Sequence, residues 1–248
     1  MFSFKIKIAD VVFLVKANYL DTRNYFSSFL SEEEAVEEIC INENDIDIFQ
    51  KSMPDFDRQM SERAVLKYRM DKILVDYGAF PFHASALSYK GEGYVFTALS
   101  GVGKSTHTRI WKETYGEDVI IINDDRPYLK VIGDSVFAFS HPQAGKHMLY
   151  TNTKCQIRAI GKIVRDEQNY VKPVTQAEFF PFFVQQTFTM DEPKTTWSII
   201  SLIKKVLERV SLYEIHCNMD SNAAELIYEH IQGDLGKYKS ENESDALS

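Results

Sequence analysis

The stretch YVFTALSGVGKSTHTRIW, residues 94–111, constrains this chain more than any other. Gly101 and Gly103 flank a single residue and are followed at once by Lys104 and Ser105. An apolar run ends just before them, and an amphipathic run begins just after. Glycines at this spacing let a backbone curl until several N–H groups converge, and a helix starting at the lysine adds its own uncapped amides. A strand must deliver such a loop and a helix must carry the chain away. GxGK[ST] alone arises by chance in roughly one sequence in a hundred of this length, so the flanking elements are what give the loop its meaning. The longer pattern GxxxxGK[ST], laid over residues 98–105, meets Ala98 where its first glycine would stand. A side chain there matters only if the position needs a positive φ.

At 248 residues and 44% apolar content the chain can form one large α/β domain, or a medium domain with an appendage. Its net charge of -8 and pI near 5.3 argue against nonspecific nucleic-acid binding, which needs a basic stripe to displace counterions. Cys40, Cys155 and Cys217 are widely spaced and include no CxxC, as in a reducing compartment. No apolar run approaches the ~20 residues of a membrane helix, and MFSFKIKIAD lacks a signal-peptide layout. The chain reads as cytoplasmic, with neither nucleic acid nor membrane among its partners.

Phe2, Phe4, Ile6 and Ile8 alternate with polar residues as a half-buried strand does, and VVFLV predicts a second strand. SEEEAVEEICINENDIDIF is acidic and only weakly periodic, whereas Leu66, Met70, Ile73, Leu74 and Tyr77 recur at helical spacing. Residues 1–77 therefore read as a small α+β region, residues 78–232 as the main domain and residues 233–248 as a polar, disordered tail. In the main domain PFHASALSY and GYVFTAL predict paired strands around the turn KGEG. DVIIIND predicts a strand buried on both faces. Helices are expected over 176–187 and 197–210, with YEIHC, 213–217, as a strand between the second and a third helix that Asp220 would cap. The phenylalanines of AEFFPFFVQQTF read as core, the other reading being the lining of an acceptor or adenine pocket.

The loop residues Ser100, Gly101, Val102, Gly103, Lys104, Ser105 and Thr106 are expected to cradle the phosphates of ATP, with Lys104 on the β- and γ-oxygens and the Ser105 hydroxyl on Mg²⁺. Asp124 and Asp125 end the DVIIIND strand, where open α/β sheets place their ligands. Phosphoryl transfer to a hydroxyl needs one acidic group near the metal and another to take the proton. Adjacent strand residues point to opposite sides, so the pair can divide those roles. DD before RP is also ordinary turn chemistry. His83 lies on the strand before the loop, 21 residues ahead of Lys104.

HAS, KGEG, YVFTA, LSGVGKS and NDDR follow one another in an order that resembles the catalytic domain of HPr kinase/phosphorylases, and the loop is similar to that of phosphoenolpyruvate carboxykinases, which share that fold. The resemblance covers about residues 78–165 and is nearest to short proteins related to HPr kinase. It implies an α/β fold with a mixed sheet and an ATP- and Mg²⁺-dependent kinase acting on a hydroxyl acceptor, whether a serine or threonine of a peptide or protein or a small molecule. By the same resemblance His83 is an active-site residue near the phosphates, Lys104 the phosphate contact, Ser105 and Asp124 serve the metal, and Asp125 accepts the proton. Arg126, Lys146, His147 and Asn152 follow as second-rank candidates, the last three from GKHMLYTN. The long glycine-rich signature with its metal-binding Glu, found after the aspartates in bifunctional members, is absent here. The other reading is a nucleotide-binding sensor or slow ATPase. Self-association is left open by both.

Overall fold

The computed structural model describes residues 1–143, 148–187, 192–218, 220 and 222–245, with side chains described as far as Asp234. The alternating N-terminal residues form β1 (Phe2–Ile8), which turns through Ala9 and Asp10, both at positive φ, into the antiparallel β2 (Val11–Ala17). A short α1 (Leu20–Tyr25) follows, and the acidic stretch supplies β3 (Glu37–Cys40), parallel to β2, and α2 (Glu43–Ser52). A reciprocal cap between Asn42 and Asp45 starts α2. Then α3 (Arg58–Asp76), capped by Asp57, buries Leu66, Met70 and Leu74 against the three-stranded sheet. The same apolar cluster takes in Ala79, Tyr128 and Phe139 of the second sheet, so the two layers share a core.

That second sheet has nine strands and is mixed. Its main path runs from β4 (Ala79–Pro81) through β8 (Tyr128–Ile132), β9 (Ser135–Phe139), β10 (Lys154–Arg165), β6 (Glu92–Thr97) and β5 (Ala84–Tyr89) to β7 (Val119–Asn123). The long β10 also pairs with β12 (Ser211–Cys217), which carries β11 (Tyr170–Pro173). Residues 154–156 of β10 run antiparallel to β9, while its later part runs parallel to β6 and β12, so one strand belongs to two curls of the sheet. Gly93 makes this closeness tolerable: a Cβ there would lie 2.6 Å from the Gln156 carbonyl oxygen. One face is covered by α5 (Gln176–Gln186) and α6 (Pro193–Leu207), packing Phe179, Phe183, Ile199 and Ile203 on Phe82, Val95 and Ile160. The other face is covered by α4 (Lys104–Tyr115) and α7 (Ala223–Asp245), with Trp111 against Tyr89, Tyr94 and Phe96. Phe179 and Phe183 are thus core, as their clustering predicts.

Three expectations are corrected. The DVIIIND strand, β7, is not buried on both faces: it ends the path of the sheet with β5 as its strand partner, and Ile120 is 45% exposed. The segment expected to be disordered from residue 233 continues α7 as helix to Asp245; it holds no proline, and its two glycines and two serines are poor helix formers. The Asp220 side chain accepts from Asn218 Nδ2, while its carbonyl takes the Ala223 N–H at the start of α7. Among the described residues no helix is long and apolar enough to cross a membrane.

Candidate functional site

The site forms where β6 ends. Ala98 is fully buried in the cluster around Trp111 and does not have a positive φ, so the missing glycine leaves the loop's backbone unstrained. Gly101 and Gly103 do adopt positive φ, 79° and 126°. A Cβ at Gly101 would meet nothing within 4 Å, so glycine is needed there for backbone conformation, and the space above the loop is open. The loop is tied back by Arg165, whose Nε donates to the Val102 carbonyl over 3.1 Å from the end of β10. Gly103 is the N-cap of α4, and no side chain caps its first-turn amides. Those donors are therefore available to an anion.

Lys104, the first residue of α4, is only 8% exposed, and its ammonium lies 3.0 Å from His83 Nε2. His83 sits between β4 and β5 and is held on several sides. Its N–H donates to the Gln186 carbonyl (3.0 Å), its carbonyl accepts from Thr97 Oγ1 (2.9 Å), and its Nδ1 lies 2.9 Å from Gln186 Oε1. Since Oε1 can only accept, Nδ1 carries the proton, and the lone pair of Nε2 is free to accept from the lysine. Burial, reinforced by the neighbouring ammonium, lowers the His83 pKa, so the ring is neutral. Burial also lowers the Lys104 pKa, opposed by the Asp125 carboxylate.

Asp124 and Asp125 follow β7 and differ sharply. Asp124 is 2% exposed, whereas the Asp125 carboxylate is partly open, with Oδ1 3.8 Å from His83 Nε2 and Oδ2 4.0 Å from Arg126 Nε. Their backbones are pinned to β5: the Ala84 N–H donates to the Asp125 carbonyl (3.0 Å) and Ser85 Oγ to the Asp124 carbonyl (2.9 Å). The turn itself is organised by Asn123, which sequence reasoning passed over. Its buried Oδ1 accepts from the N–H groups of Asp125 (3.0 Å) and Arg126 (2.7 Å), and its Nδ2 donates to the carbonyls of His141 (3.0 Å) and Gln143 (2.9 Å). An asparagine two residues before a strand-end turn is a legible signal for this bracket. His141 completes it: Nε2 donates to the Arg126 carbonyl, and Nδ1 accepts from the Gln143 N–H (3.2 Å). Burial holds this ring neutral, its pKa pushed down to about 3.

The structure thus brings His83, Lys104, Asp125 and Arg126 together. Ser105 lies in the first turn of α4, and its hydroxyl makes no hydrogen bond among the described residues. Ser100 and Thr106 likewise make no side-chain bond to the cluster. Asn152 does not join the four, donating instead to the Ser28 carbonyl of the N-terminal layer. Lys146 and His147 lie outside the described residues. Besides Asn123, Gln186 and Arg165 are site residues that sequence reasoning did not assign. No cluster of three His, Cys, Asp or Glu able to hold a metal occurs among the described residues. A magnesium ion that comes with phosphate oxygens needs only one or two protein ligands, and Ser105 with Asp124 is a donor set of that kind. The arrangement offers uncapped amides and two cationic side chains to an anion, with a carboxylate at its border.

No protein-family model matches the chain, and no curated protein matches it. Among solved structures, the chain is similar to the Hpr(Ser) kinase/phosphatase from Coxiella burnetii at a TM-score of 0.38 and 11% identity, over 64% of this chain and 98% of that one. A likeness of this depth leaves any functional reading to rest on the site's own residues.

Proposed function

We propose that this chain is an ATP-dependent kinase with an HPr-kinase-like core, transferring the γ-phosphoryl group to a hydroxyl acceptor. One observation carries the reading: a buried lysine at the uncapped start of a helix donates to His83 Nε2, and the Asp125 carboxylate lies 3.8 Å from the same nitrogen. The loop amides and Lys104 bind the phosphates, and Arg126 adds positive charge at the same mouth. Ser105 and Asp124 would hold Mg²⁺, which would supply neutralisation of the phosphate charge. Asp125 takes the proton of the acceptor hydroxyl as its oxygen bonds to the γ-phosphorus and the bond to the β-bridging oxygen breaks. In the free protein His83 Nε2 accepts from Lys104 and orients its ammonium at the loop.

The test compares binding with transfer. Lys104→Ala should weaken Mg-ATP binding roughly ten- to a hundredfold, the loss of a charge-assisted contact of about 1.5–3 kcal/mol. Asp125→Asn should bind nucleotide about as well as wild type and lose about 10²- to 10⁴-fold in transfer, as expected for one general base. Acceptors to be assayed are serine- and threonine-containing peptides and free alcohols. A wild type that binds ATP but phosphorylates none of them, or an Asp125→Asn variant that retains transfer, would leave a nucleotide sensor as the better description.

A further inference from the structure

The strand registers raise a wall on each side of the glycine loop. On one side Ala84 of β5 pairs with Thr97, the last residue of β6, so His83 stands just beyond that level, and the turn after β7 adds Asp125 and Arg126. On the other side Thr97 pairs with Lys162, and β10 continues past it to Arg165, where β12 keeps level through the pair of Arg165 with Cys217. The loop lies between. The connections that leave these parallel neighbours also diverge: β6 leads into α4 on one face of the sheet, whereas β10 leads through β11 into α5 on the opposite face. Connections that part in this way open a crevice outside the carboxyl ends of the strands, where parallel sheets take their ligands.

The two walls differ in charge. Lys104 and Arg126 gather beside His83 and Asp125. The segments after β10 and β12 carry instead Asp166, Glu167 and Asp220, which repel phosphates and can accept from hydroxyl groups. This second wall is also braced. The Asp166 N–H donates to the Cys217 carbonyl (3.2 Å), the Asn218 N–H to Asn169 Oδ1 (3.0 Å) and Asn218 Nδ2 to the Glu167 carbonyl (3.3 Å). His216 Nδ1 lies 3.0 Å from Asp166 Oδ2, and the Tyr170 ring stacks on the imidazole at 4.2 Å between centroids. A braced acidic shelf suits the uncharged half of a nucleotide, not its phosphates. Arg165 stands at the boundary: its Nε holds the Val102 carbonyl of the loop, and its guanidinium forms no ion pair among the described residues. That cation meets the loop on the side away from Asp125.

We infer that the crevice between β6 and β10 takes the nucleoside end of a nucleotide, with Arg165 on the α-phosphate and the ribose and base over the segments that follow β10 and β12. The phosphate chain then runs across the loop toward Asp125. The inference rests on the nucleotide reading of the loop, and it adds the direction in which the ligand lies.

Two measurements test that direction. In the first, 2-azido-ADP with Mg²⁺ is irradiated on the protein with and without excess ADP, and labelled peptides are located by mass spectrometry. Label that ADP displaces should fall on the segments following β10 and β12, and displaceable label anywhere else would overturn the placement. The second is calorimetry with ADP and with pyrophosphate on wild type and Arg165→Met, an exposed change at the end of its strand. If Arg165 only steadies the loop, both ligands weaken together. If it contacts the nucleoside end, ADP should weaken about tenfold, as for one charge-assisted contact, while pyrophosphate, seated by the loop amides and Lys104, should change by less than about twofold. Equal weakening of both ligands, or of neither, would overturn the role of Arg165. Lys104→Ala provides the contrast, since it should weaken both. A wild type that binds neither ligand removes the nucleotide reading itself. One that binds pyrophosphate without ADP, or binds ADP and is labelled elsewhere, removes the crevice alone.

Discussion

Nucleotide binding should draw a proton onto His83. In the free protein the ring is neutral because burial, and then the Lys104 ammonium 3.0 Å away, lower its pKa. A phosphate oxygen accepting from the same ammonium would sit about 2.8 Å beyond it, placing negative charge within roughly 6 Å of the imidazole. At an effective dielectric of about 20, each unit of charge at that distance favours the imidazolium by about 3 kcal/mol, roughly a hundredfold in proton affinity. The His83 pKa is thus depressed without ligand and raised with it. Linkage then fixes the sign. Between those two pKa values the complex holds a proton that the free protein lacks, so affinity rises as pH falls, by up to about tenfold per pH unit. The assay is calorimetric titration with ADP in two buffers of different ionisation enthalpy, between about pH 8 and pH 6, on wild type and His83→Gln. Glutamine offers Lys104 an acceptor but cannot titrate, so the difference between the proteins removes the phosphate's own protonation. Equal proton uptake by both proteins, or proton release by wild type, would refute the placement of His83 beside the phosphates.

Two further expectations concern stability. Ala98→Gly should leave ATP affinity unchanged and lower stability by about 1–2 kcal/mol, since the position is buried and is not at positive φ, so the change adds unfolded-state freedom and removes a buried methyl; calorimetry showing a large gain in affinity would mean that the natural loop is impaired. Acid should destabilise the fold well before the carboxylates protonate. His107 and His141 are held neutral by burial, with pKa values pushed from 6.5 down to about 3, so their stabilisation is complete above about 6.5 and is lost as pH falls toward 3. At pH 5 each should cost about 2 kcal/mol, and urea unfolding curves that coincide at neutral pH and pH 5 would contradict this.

How far the sequence revealed the fold depended on the range of the forces involved. The alternation in β1, the turn between β5 and β6 and the 3.6-residue pattern in α3 and α5 are local and lie where periodicity puts them, whereas α6 starts at Pro193 and ends at Leu207, earlier at both ends than the 197–210 its pattern predicts, because Pro193 opens the helix. What periodicity cannot show is partnership. The β-branched run of β7 reads like a central strand, but its place at the end of the path follows from β5 coming between it and β6, a pairing across more than thirty residues. The short β3 is hidden among glutamates because its single buried residue, Ile39, gives no alternation to detect.

The site divides along the same line. Gly101, Gly103, Lys104 and the aspartates are legible because a glycine-rich loop before a helix and a strand-end acid pair are written in contiguous residues. Gln186 stands 103 residues from the histidine whose tautomer it sets, and Arg165 is 63 residues from the carbonyl it steadies, so neither has a local signature. The same distance conceals how the N-terminal region serves the site. Its helix α3 presents the buried Asp71, which accepts from the Tyr128 hydroxyl and pairs with Lys67 at 2.5 Å. Tyr128 packs against His141 at 4.8 Å between ring centroids, and His141 donates to the Arg126 carbonyl in the turn that presents Asp125. Helix α3 therefore anchors the support beneath the aspartate turn, and a buried carboxylate fixes its position. Moving α3 would strand the Asp71 charge and the Tyr128 hydroxyl away from water, a penalty of several kcal/mol. Residues 1–77 thus reach the support beneath the aspartate turn through Asp71 and Tyr128 and share an apolar cluster with the second sheet.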